Sequence, residues 1–87
     1  MVTSGALATE IIEMTGGENG AWVRVADLLA RLGCTVDELT EAMTDLLAED
    51  EGFRTTTEVH RHRLTDWEWN EAPLIGGERQ HLVALFW

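Results

Sequence analysis

The sequence has no lysine and no tyrosine, one proline and one cysteine. Each shortage excludes something. Cys34 has no second cysteine to pair with, so a disulfide framework within the chain is excluded. No apolar run approaches the ~18 residues that span a bilayer, so no membrane partner is expected. The opening Met-Val-Thr-Ser-Gly has neither a basic segment nor a long apolar stretch, so no signal peptide is expected. With a free thiol and an acidic balance, this fits a cytoplasmic protein. There is no G-x-S-x-G and no Gly-rich phosphate loop, and Gly76-Gly77 lacks the strand-then-helix context of a phosphate site. No catalytic constellation emerges, so neither an enzyme nor a cofactor is expected.

What is present describes one small globular domain. The 87 residues are 45% hydrophobic and 25% charged, which argues against disorder over most of the length. The formal net charge is −10. It is unevenly spread. Residues 1–52 carry most of the acids, opposed only by Arg24 and Arg31. Residues 53–64 are basic, with Arg54, Arg61 and Arg63 against Glu58. Such a field repels nucleic acid at long range. Its plainest purpose is solubility.

Hydrophobic spacing predicts a first helix from Ser4 to Met14, with Ser4 as N-cap and Leu7, Ile11 and Met14 on one face. Thr15 to Gly20 reads as a turn, and Ala21 to Arg24 as a short extended piece. A second helix is expected from Val25 to Leu32, stopped by Gly33. The third runs from Thr35 to Glu49. Thr35 and Glu38 have capping-box spacing, and Val36, Leu39, Met43, Leu46 and Leu47 make an apolar stripe. A strand is expected from Phe53 to Leu64, then one helical turn from Thr65 to about Asn70. Pro73 and Gly76-Gly77 mark a turn region. The apolar run after His81 reads as a last strand.

The segment Val25-Ala-Asp-Leu-Leu-Ala-Arg-Leu-Gly-Cys-Thr-Val-Asp-Glu-Leu-Thr-Glu-Ala-Met-Thr-Asp-Leu-Leu, with its turn glycine and cap threonine, resembles a winged helix-turn-helix domain. The resemblance runs from Leu7 to Phe86. The tail, with Arg63-Leu-Thr, Ile75-Gly-Gly-Glu and His81-Leu, is similar to small winged-helix proteins of actinobacteria and their phages or plasmids. The expected fold is therefore α+β: three helices, a short strand and a C-terminal β-hairpin wing, in one domain over 1–87. The resemblance implies a DNA-binding regulator of transcription or of a mobile element, with the third helix in the major groove. The residues that would face DNA are Asp37, Thr40, Glu41, Thr44 and Asp45, and none is a cation. Three acids without a compensating base make a poor groove surface.

Two readings follow. In the first, DNA is contacted partly through wing residues Arg54, Arg61 and Arg63, with a homodimer doubling the contacts; alternatively these arginines only pair with nearby acids. In the second, the domain is a protein-interaction module, a possible DNA mimic, that offers its acidic third helix to a basic partner. Trp67, Trp69 and Trp87 are candidates for a partner or dimer patch; the other reading is that they cap a small core. Trp22 is expected to pack on the first helix, and Trp87 to fray. His60, His62 and His81, completed by Asp66 or Glu68, have a weak metal-site spacing, and exposed histidines are the commoner outcome. Cys34 is expected to be a packing residue rather than an activated thiol.

Overall fold

The structure, a computed structural model, describes residues 2–58 and 64–87. It is α+β, with helices α1 (Ser4–Met14), α2 (Val25–Leu32), α3 (Val36–Glu49) and α4 (Asp66–Glu71). Its strands are β1 (Trp22–Arg24), β2 (Phe53–Thr56), β3 (Leu74–Ile75), β4 (Glu78–Arg79) and β5 (Leu82–Leu85). β5 lies between β1 and β2, antiparallel to both, and β3–β4 form a separate hairpin. This order is compatible with a winged-helix-like fold.

Local chemistry sets most boundaries. Thr3, not Ser4, caps α1, accepting from the Ala6 amide at 3.0 Å. The Ser4 hydroxyl donates instead to Glu49 at 2.7 Å, tying the start of α1 to the end of α3. Gly33 ends α2 in the left-handed region, φ 62°, where a glycine carries no Cβ penalty. Thr35 and Glu38 form the expected capping box on α3. The helical turn expected after Thr65 is a short fourth helix with its own capping box, from Thr65 and Glu68.

The three longer helices pack on one face of the sheet. Leu7 and Ile11 of α1, Val25 and Leu28 of α2, and Leu39, Met43 and Leu46 of α3 meet Val23, Phe53, Val83 and Leu85. Strand alternation sends Val23 inward and its neighbours Trp22 and Arg24 outward.

Three further expectations need correction. The strand from Phe53 ends at Thr56 rather than Leu64; its remainder partly falls on 59–63, outside the described residues. The expected C-terminal wing hairpin is not formed as such, because α4 and the β3–β4 hairpin intervene between β2 and β5. Gly76 and Gly77, both at positive φ, make the tight turn of that extra hairpin. Trp22 is not buried against α1. It is 49% exposed and meets Phe86 edge-on, centroids 6.5 Å apart.

Gly52 is fixed by a close crossing. Its carbonyl accepts from the Phe86 amide at 2.8 Å, and a Cβ there would lie 1.8 Å from the Phe86 carbonyl oxygen. Backbone cannot swing aside as a side chain can. Gly52→Ala is therefore expected to cost more than about 2 kcal/mol in urea unfolding. Gly33→Ala, with nothing within 4 Å of the added carbon, should cost only about 1 kcal/mol. The reverse order would refute the crossing as the constraint.

Candidate functional site

The face of α3 turned away from the core carries Asp37, Glu41, Thr44 and Asp45, all exposed. Thr40 is half-buried, and its hydroxyl donates to the Val36 carbonyl at 2.7 Å. The Thr44 hydroxyl donates to the Thr40 carbonyl at 2.8 Å. Both hydroxyls thus turn back on their own helix. What the face offers outward is carboxylate. No basic residue occupies the last turn of α3.

The arginines are committed elsewhere. Arg54 donates to the carbonyls of Glu51 and Phe53, curling over the turn that follows α3. Arg31 pairs with Glu10 of α1. Arg79 donates to the Ala72 carbonyl at 2.9 Å. Arg24 grips both carboxylate oxygens of Glu68 at 2.6 Å. Arg61 and Arg63 lie outside the described residues, as do His60 and His62.

Glu68 therefore has two duties. It closes the capping box of α4 and binds Arg24, which precedes α2. Burial pushes its carboxyl up, but the Arg24 guanidinium and the Thr65 donors outweigh burial and hold it below the ordinary carboxylate value. The same bond raises Arg24.

His81 is the second fixing point of the segment between β2 and β5. It is 3% exposed and stacks on Trp69, centroids 5.5 Å apart with the rings 8° from parallel. Its Nδ1 accepts from the Glu58 amide at 3.1 Å, so the ring proton sits on Nε2, which has no partner. A cleft of about 490 Å³, lined by Thr57, Trp69, Asn70, Glu78, Arg79 and His81, opens beside it. Among the described residues, no three His, Cys, Asp or Glu side chains are placed to hold a metal ion.

The candidate tryptophan patch is divided. Trp67 is 43% exposed on α4, whereas Trp69 is taken up by the stack on His81. Trp87 stands at the other end of β5. It does not hang free, because Asn19 holds its backbone by two hydrogen bonds, 2.8 and 3.0 Å. A second exposed pair is Trp22 with Phe86; both belong to the aromatic excess of the sequence, but Trp22 was expected on the first helix. The available signal was alternation in the short extended piece: if Val23 points in, Trp22 points out. Cys34 is half-buried against the core, and burial pushes its thiol up, so the nearby start of α3 does not activate it. Among the described residues, no helix is long and apolar enough to cross a membrane. No family model, curated protein or solved structure matches the chain.

A carboxyl held below its unfolded value contributes stability that is complete above the ordinary glutamate pKa of about 4.3. That contribution is lost as pH falls through the lower, folded value. Glu68→Gln keeps the cap but removes the charge. Arg24 is half-exposed, so the expected cost is modest, about 1–2 kcal/mol in urea unfolding at neutral pH. The gap should narrow as pH falls below the ordinary glutamate value and through the lower, folded one. A gap that persists in acid would assign the effect to packing instead.

Proposed function

We propose that the chain is a winged-helix interaction module that presents the acidic face of α3 to a strongly basic protein, where a DNA-binding relative would present a reading helix to DNA. The helix, strand, helix, helix, strand order and the β1-β5-β2 sheet support the winged-helix part. One observation carries the rest. Every arginine among the described residues is engaged by its own chain, while Asp37, Glu41 and Asp45 stand exposed. A surface with that sign repels phosphate and attracts lysine- and arginine-rich proteins, including those that bind DNA.

A second reading, a regulator that binds DNA partly through the wing, is favoured by the position of Arg61 and Arg63. Both follow β2, where a wing belongs. Three wing arginines would neutralise about three phosphates, which gives weak and salt-sensitive binding.

Fluorescence anisotropy with random-sequence duplex DNA at low salt separates the two readings. No binding is expected. Binding that fades with salt and weakens in Arg61→Ala plus Arg63→Ala would overturn the proposal. Affinity capture with the purified protein should retain a strongly basic partner. Glu41→Lys plus Asp45→Lys should lose it while keeping the fold, since both side chains face solvent.

A further inference from the structure

Trp22 also lines a groove of about 450 Å³ that runs between the end of α1 and the start of α2. Met14, Ala21 and Trp22 give it an apolar wall, and Glu18 and Asp27 give it two acids. Arg24 lines it too, paired with Glu68 and also drawn to Asp27, so Glu18, Asp27 and Glu68 outnumber the one cation and the sign there is net negative. Neither Glu18 nor Asp27 makes an ion pair among the described residues. α1 ends in this groove and α2 begins in it, so the two helix-end dipoles oppose each other and the side-chain charges decide its sign. A half-exposed indole, a methionine and two carboxylates in one groove match a long side chain with an apolar stem and a cationic head.

We propose that this groove docks an arginine from a basic segment of a partner protein. The stem lies along Met14 and Trp22, and the guanidinium meets the indole and the carboxylates of Glu18 and Asp27. A planar, weakly hydrated guanidinium suits an aromatic wall better than an ammonium does. The sign of the groove turns away nucleic acid. A second copy of the chain is a poor occupant, because two bodies of charge −10 repel. The site shares the basic partner of the α3 reading but uses a different surface.

The test titrates the isotopically labelled full chain with a capped hexa-arginine peptide, followed by amide and indole NMR shifts. Its neutral hexa-citrulline equivalent is the control. Shifts are expected at the Trp22 indole N–H and at the Glu18 and Asp27 amides, with none from the citrulline peptide. Glu18→Gln plus Asp27→Asn should weaken binding about tenfold, and Trp22→Leu by a similar factor. Glu41→Lys plus Asp45→Lys should leave the groove shifts in place, so this site and the α3 reading fail separately. The spectrum of each variant reports its fold. Shifts confined to α3, equal shifts with citrulline, no shifts at all, or unchanged affinity in both groove variants would overturn the proposal.

Discussion

The sheet depends on one strand. β1 and β2 do not pair with each other; each pairs only with β5. The pairing with β1 brings Val23 opposite Val83, and that with β2 brings Phe53 opposite Leu85. All four side chains enter the core shared with α1, α2 and α3. Gly52 is demanded by the same strand, since the chain leaving β5 passes against its backbone. So is the seat of His81, whose backbone amide reaches Thr56 and whose carbonyl accepts from Val25, at 2.9 and 3.0 Å.

The parts of the fold legible in the sequence were those set by neighbouring residues. The Thr35–Glu38 box, the Gly33 stop and the helical turn after Thr65 are short-range hydrogen-bond and dihedral requirements, and residue type reveals them directly. Less legible were features set by distant partners. Thr55 to Thr57 has strand propensity, yet β2 stops at Thr56: the Glu58 amide turns to the His81 ring instead of to a partner strand. His81 read as a surface histidine, yet packing between Trp69 and the Glu58 amide buries it. The acidic face of α3 was readable from helical periodicity. The commitment of the arginines was not, because their partners come from far along the chain: Glu10 for Arg31, Glu68 for Arg24.

Charge is thus used in two ways. Where an acid has a guanidinium, it fixes architecture, as Glu68 fixes α4 to the start of α2. Elsewhere, as at Asp37, Glu41 and Asp45 of α3 and at Glu18 and Asp27 beside Trp22, it is exposed to solvent. Only the second kind gives the surface its sign. A net count over the whole sequence hides that division.

The curl of Arg54 has a consequence for how this sheet ends. Phe53 lies opposite Leu85, and the adjoining Gly52 carbonyl takes the Phe86 amide. By antiparallel alternation, the Phe53 carbonyl points away from β5, along the outer border of the sheet. An unpaired carbonyl on that border is what an intruding strand would seek. Here the guanidinium of Arg54 already occupies it, at 3.0 Å. The side chain that follows Phe53 therefore covers one of the outward groups of β2 that an added strand would use.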